Sequence, residues 1–252
     1  MYHLDIRYFS RRRGQSVVAA ASYRSGQRLY DRYYGETHDF TAKGGIVHNT
    51  ILLPLNAPPE YSDRETLWNA VEYAEKRRDA RLAREVECAI PTELTTLEEQ
   101  IRLVERYVNT NFVEKGMIAD VAIEDKDNGN PHFHCLLTTR NVSESGFGSK
   151  NRDWDKREYL EQWRREWANI QNHELERRGL EPVSHESYAV QDFGRTIERK
   201  PNIHLGHQVQ KLEQIGIETD RMIEYREIIE HNRRECERQQ ERQRRRSRGR
   251  GR

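Results

Sequence analysis

Two histidines, His132 and His134, end the run Asn130-Pro131-His132-Phe133-His134. In an extended strand this spacing puts both imidazoles on one face, where they can share one divalent ion. The same spacing also fits a pair of surface or hydrogen-bonding histidines. In the strand-like run before them, Asp120, Ala122 and Glu124 fall on one face. If Glu124 shares the histidines' face, the site has two nitrogens, one carboxylate oxygen and open positions for a substrate phosphate. Tyr23 is a second candidate. A phenol with an ordinary pKa of about 10 attacks poorly at neutral pH, so it needs a base or a cation near the reacting phosphate. The chain has twelve tyrosines, so a packing role fits Tyr23 too. The third signal is Glu85 and Glu87, which share a strand face. They could orient a histidine, bind metal or take a proton, or form a solvated edge.

The elements around these residues can be read from periodicity. Residues 2–9 alternate as a strand, with Tyr2, Leu4, Ile6 and Tyr8 on one face. Ser16 is a plausible N-cap for a helix of small residues that runs into Tyr23. Residues 30–50 read mainly as loop, with a strand from Ile46 toward Leu55. Ser62 to Glu65 and Thr95 to Glu98 are capping boxes. The first opens a helix with Leu67, Trp68, Val71 and Ala74 inward. The second opens one with Leu97, Ile101, Val104, Val108 and Phe112 inward, ended by Gly116. Residues 85–90 read as a strand. Residues 117–124 and 132–139 pair as a hairpin around the turn formers of 125–130. A charged helix over 155–178 turns Tyr159, Trp163, Trp167 and Ile170 inward. A short helix over 206–215 and a polar helix from about 220 follow. The pattern predicts an α+β fold, a mostly antiparallel sheet of five strands with flanking helices and a helical C-terminal extension.

Composition narrows the class. The chain has 252 residues, long enough for one or two domains with a real core. Its three cysteines are widely spaced with no CxxC pair, which argues for a reducing compartment and against structural zinc. No signal peptide or membrane-length apolar run is visible, so a soluble cytoplasmic protein is expected. The net charge of +1 hides an asymmetry, because seven arginines and no acid follow Glu241. Such a tail is expected to be disordered. It fits phosphate contact or a solubilising role. The expected division is 1–220 as one domain and 221–252 as a polar helix with the arginine-rich tail.

Taken in order, the motifs resemble the MobA/MobL family of conjugative relaxases, within the HUH endonucleases. The resemblance runs through Gly14 to Ser16 with Ala20 to Gly26, then His38 to Thr41 and Gly44 to His48. It continues through Ala83 to Glu87 with Ile90 to Leu94, then Asn130 to His134 with Leu137 to Arg140. A weaker stretch covers Trp163 to Trp167, Pro201 to Gly206 and Leu212-Glu213. In related replication initiators and single-tyrosine transposases the tyrosine follows the histidines; in relaxases it precedes them, as Tyr23 does.

The resemblance implies site- and strand-specific DNA nicking at an origin of transfer, through a 5′-phosphotyrosyl bond to Tyr23. It implies an antiparallel sheet with flanking helices, and a divalent metal, Mg²⁺ or Mn²⁺, on His132, His134 and Glu124. Family members commonly have a third histidine where this chain has Glu124, and an acidic ligand suits a harder ion. Glu85 is expected as general base or histidine orienter, with Glu87 second. Arg24, Arg81, Arg84 and Arg140 are candidate phosphate contacts. Implied partners are single-stranded or melted origin DNA, a type IV coupling protein and relaxosome accessory proteins, with no membrane. Many relaxases carry a helicase or primase domain after the nicking domain, whereas this sequence shows only a helix and a basic arm there, so reliance on host helicases is expected. Three rivals remain: an HUH replication initiator or transposase, a non-catalytic DNA-binding accessory protein on a decayed relaxase fold, and a metallohydrolase that uses water instead of tyrosine and leaves no protein–DNA adduct.

Overall fold

Five strands build a sheet with both faces covered, and its central strands are buried along nearly their whole length. The computed structural model describes residues 2–126, 129–193, 197–203, 205, 209, 212–213 and 216–249. The chain divides into two units, Met1–His185 and Glu186–Arg252. The first unit contains β1 (Leu4–Ser10), α1 (Val17–Ser25), β2 (Arg28–Asp31), β3 (Glu36–Asp39), β4 (Ile46–Leu52), α2 (Arg64–Ala74) and β5 (Arg81–Ala89). Then come α3 (Leu97–Asn111), β6 (Ala119–Glu124), β7 (His132–Thr138), β8 (Arg140–Ser143), β9 (Gly146–Lys150) and α4 (Arg157–Glu176). Five strands form one antiparallel sheet in the order β1-β5-β7-β6-β4, while β2-β3 and β8-β9 are separate hairpins. The fold is therefore α+β, as expected.

One sheet face carries Val86, Cys88, Val121, Ile123, Phe133 and Cys135 into a core with α3 and α4. Tyr107, Phe112, Phe133, Trp163 and Trp167 meet there edge-on or tilted, with centroids 4.9–6.3 Å apart. The other face packs Ala83 and Leu136 against Val17, Val18 and Ala21 of α1 and Leu67, Trp68 and Val71 of α2. Since strand side chains alternate, His132, His134, Glu85, Glu87 and Glu124 share this second face.

Several boundaries differ from expectation. The N-caps are Asp63 and Thr96, each one residue later than predicted; their side chains accept from Thr66 N and Glu99 N. Ser62 ends a 3-10 turn that begins at Pro59 instead. The expected loop over 30–50 contains the β2-β3 hairpin. Asp31 organises its turn by accepting from the amides of Tyr33 and Tyr34, and Gly35 follows at φ 69°.

The second unit contains α5 (Tyr188–Gln191) and α6 (Asp220–Gly249). The division at His185 falls earlier than the boundary expected at 220. Helix α6 extends to Gly249, into the arginine-rich segment expected to be disordered. Its acids and arginines pair at helical spacing, among them Glu230 with Arg233 and Arg234, and Arg233 with Glu237. The short helix expected over 206–215 lies largely outside the described residues, as do residues 127–128 of the hairpin loop. No described helix is long and apolar enough to cross a membrane.

Candidate metal and nucleophile site

The β6-β7 hairpin sets Glu124 directly opposite His132, and Ala122 opposite His134. Ala122 has only a methyl group, so the carboxylate of Glu124 can reach diagonally toward both rings. Glu124 Oε2 lies 4.0 Å from His132 Nε2, and Oε1 lies 3.9 Å from His134 Nε2. One ligand atom from each of the three residues lies within 4.8 Å of the others.

The outer ring nitrogens are both engaged. His132 Nδ1–H donates to the Asn130 carbonyl at 2.9 Å, and His134 Nδ1–H donates to Glu85 Oε1 at 3.1 Å. A neutral imidazole with Nδ1–H spent in this way presents the Nε2 lone pair, the form a metal requires. Burial holds the His134 pKa below its ordinary value despite the Glu85 hydrogen bond, which keeps the ring neutral. Two inward Nε2 atoms and a carboxylate suit one divalent ion.

Behind the histidines, Glu85 on β5 is fully buried. Its Oε1 also accepts from Arg24 Nε at 2.6 Å, and Arg7 lies 3.7 Å from Oε2. Burial pushes this carboxyl up, but His134 and Arg24 outweigh it and hold the pKa down to about 2. Glu87 pairs with Arg7 and lies 3.7 Å from His134 Nδ1.

Helix α1 brings Tyr23 to the same place. Ser16 caps it by accepting from Ala19 N at 2.9 Å, and Gly26 ends it at φ 64°. That left-handed φ favours glycine, and a Cβ there would also press on the tip of the Ile46 side chain, 2.7 Å from Cδ1. Tyr23 meets Phe40 edge-on at 5.2 Å and lies beside a shallow groove along α1 lined by Phe9, Gln15, Ala19 and Arg24. The Lys43 ammonium stacks on the Tyr23 ring, 4.0 Å from its centroid, and also bonds Glu124 Oε1. The next residue, Arg24, reaches Glu85. The structure thus brings together Tyr23, Arg24, Glu85, Glu87, Glu124, His132 and His134.

Three expected phosphate contacts lie elsewhere. Arg84 projects to the opposite sheet face, is 1% exposed, and bonds Asp155 and the Trp154 carbonyl. Arg81 stacks on Tyr8 in that same cluster. Arg140 is taken up by Glu75 and the Gly148 carbonyl. In each case an ion pair or stacking partner holds the guanidinium away from the site. Sequence reasoning missed Lys43, Lys126 and Arg7. The only signal for Lys43 is the Gly44-Gly45 pair after it, which marks a tight backbone path.

A model of the MobA/MobL family matches residues 15–215, a stretch that spans every residue of this site except Arg7. The chain belongs to the MobA/MobL family. Among family relatives, it is 34% identical over 236 residues to conjugal transfer protein TraA of Agrobacterium fabrum, covering 81% of this chain and 21% of TraA. It is 33% identical over 241 residues to mobilization protein MobL of Acidithiobacillus ferridurans, covering 82% of this chain and 62% of MobL. The chain therefore spans about a fifth of TraA and three fifths of MobL. A solved structure concerned with the molecular basis of vancomycin resistance transfer in Staphylococcus aureus is 34% identical, with a TM-score of 0.70. That match covers 75% of this chain and 100% of the solved one.

Proposed function

We propose that this chain nicks one DNA strand at a plasmid or mobile-element origin of transfer through a 5′-phosphotyrosyl intermediate, and so starts conjugative mobilisation. One observation carries the reading: α1 and the β6-β7 hairpin, far apart in the chain, converge so that Lys43 touches both Tyr23 and Glu124. Relatives named for conjugal transfer and mobilization support the same reading.

Tyr23 is the nucleophile. Its phenol oxygen bonds the scissile phosphorus as the bond to the 3′-oxygen breaks. The phenol proton passes to solvent, to which Tyr23 is 42% exposed, and the leaving 3′-oxygen takes a proton from water. One phosphodiester replaces another, so a later attack by a 3′-hydroxyl can re-close the strand. His132, His134 and Glu124 would hold Mg²⁺ or Mn²⁺, which would supply Lewis-acid stabilisation of the charge that develops on the phosphate. Glu85 is a positioning residue: it fixes the His134 tautomer and ring plane. Its low pKa leaves it little affinity for a phenol proton, so orientation is favoured over general-base work. Glu87 backs it through Arg7. Arg24 holds Glu85 and is the remaining arginine placed to meet a phosphate beside Tyr23. The substrate is single-stranded or locally melted origin DNA, and a type IV coupling protein with relaxosome accessory proteins would act with the chain.

The test is a denaturing gel of the protein with labelled single-stranded origin DNA. A covalent adduct is expected, lost in Tyr23→Phe, blocked by EDTA and restored by Mn²⁺. An adduct that persists in Tyr23→Phe would move the role to Tyr30, Tyr33 or Tyr34. Cleavage indifferent to chelator would end the metal role. No adduct under any condition would favour a non-catalytic DNA-binding protein.

A further inference from the structure

The loop between β3 and β4 inserts a cation into the proposed metal site. Its backbone is pinned: Lys43 N–H donates to the Phe40 carbonyl at 2.9 Å, and the Gly45 carbonyl accepts from Asp125 N at 2.8 Å. Gly45 lies at φ +84°, and a Cβ there would meet the Lys126 side chain at 2.7 Å. Lys43 therefore enters the site along a fixed path, with its side chain only 11% exposed.

Each Glu124 oxygen already faces one lysine and one histidine. Oε1 faces Lys43 and His134, while Oε2 faces Lys126 at 3.5 Å and His132. With neutral imidazoles this cluster is net positive before any ion arrives. A divalent ion on the three ligands would crowd the Lys43 ammonium. At a separation of a few ångströms, even with an effective dielectric of about 20, that repulsion would weaken ion binding by at least about tenfold. The flexible four-carbon lysine stem lets the charge move without moving the loop. The Tyr23 ring face, already in contact with Lys43, offers it a second partner.

We propose that Lys43 is a displaceable internal cation. It neutralises Glu124 in the metal-free protein, yields the carboxylate when a divalent ion is bound, and stays beside Tyr23 as the positive charge that receives the scissile phosphate. This rests on the metal-site reading above. The site then gives up affinity for the bare ion and becomes more attractive to a polyanion.

The experiment is calorimetric titration of the whole chain with Mn²⁺ alone, next to single-turnover adduct formation at saturating Mn²⁺. Lys43→Met is expected to bind Mn²⁺ at least about tenfold tighter than the parent, yet to form adduct at least about tenfold more slowly. Lys43→Gln, a second neutral variant that can still hydrogen-bond Glu124, is expected to show the same opposite movement. Lys43→Arg, which keeps the charge, should stay near the parent in Mn²⁺ affinity. A lysine that only braced the fold would lower affinity and rate together. Unchanged or weaker Mn²⁺ binding in the neutral variants overturns the proposal, and so does an unchanged adduct rate. If the parent itself binds no Mn²⁺, the metal-site reading fails and this inference fails with it; if only the tightening is absent, this inference alone fails.

Discussion

Glu85 has no exposed surface and still carries a charge, because His134 and Arg24 both donate to one of its oxygens. The nearby partners decide its chemistry more than its burial does. Its pKa lies at about 2, below the ordinary 4.5. A depressed folded-state pKa contributes stability that is fully present above the ordinary value and is lost as pH falls toward the folded one. Glu85→Gln is therefore expected to be less stable than the parent at neutral pH, with the gap closing between pH 4.5 and about 2, as read by urea unfolding across pH. A gap independent of pH would show that the carboxylate's charge is not what stabilises. The same variant should bind Mn²⁺ about 10–100-fold more weakly, the usual cost of removing the group that orients a ligating histidine. Calorimetry would check this.

At the scale of elements, the site depends on how α2 is anchored beneath it. Asp120 lies on the same face of β6 as Glu124. It accepts a forked pair from Arg64 at 2.9–3.1 Å and the Trp68 indole N–H at 2.7 Å. All three residues are buried. Removing one member of such a buried pair costs about 3–5 kcal/mol, because the remaining charge has no partner. Asp120→Ala is expected to lower Tm by about 10 °C in a thermal melt. A decrease of only a degree or two would show that water replaces the carboxylate. Aspartate in a strand gave no sign of this role in sequence, since both of its partners come from α2. The hairpin within the stretch expected as loop over 30–50 escaped sequence reading for a different, local reason. The β2-β3 hairpin has only four residues per strand, too few to show a period, and its turn is held by Asp31 side-chain bonds.

For the whole molecule, every residue of the site falls within Met1–His185, while the arginine-rich segment belongs to the second unit. Removing the residues after Glu241 deletes seven arginines. DNA affinity is expected to fall. The slope of log affinity against log salt should shrink by about 0.7 for each phosphate of a single strand that the arginines no longer neutralise. Adduct formation at saturating DNA should be unchanged. Fluorescence anisotropy across a salt series measures the first effect and the denaturing gel the second. An unchanged salt slope would leave the segment without a phosphate role.

The chemistry-bearing residues were legible in the sequence where period and order suffice. The i, i+2 histidines, Glu124 on the paired strand and the two glutamates of β5 share a face because strand side chains alternate. The order of Tyr23 and the histidines pointed to the family. Local patterns also gave the inward faces of α2, α3 and α4, since a helical stripe is visible within one segment. Only the tertiary structure decided which charges meet. Glu85 is taken up by His134 and Arg24, Arg84 is buried on the far face, and Lys43 links Tyr23 to Glu124. These pairings join residues of distant segments, and a charged residue's partner across the fold leaves no period in the chain.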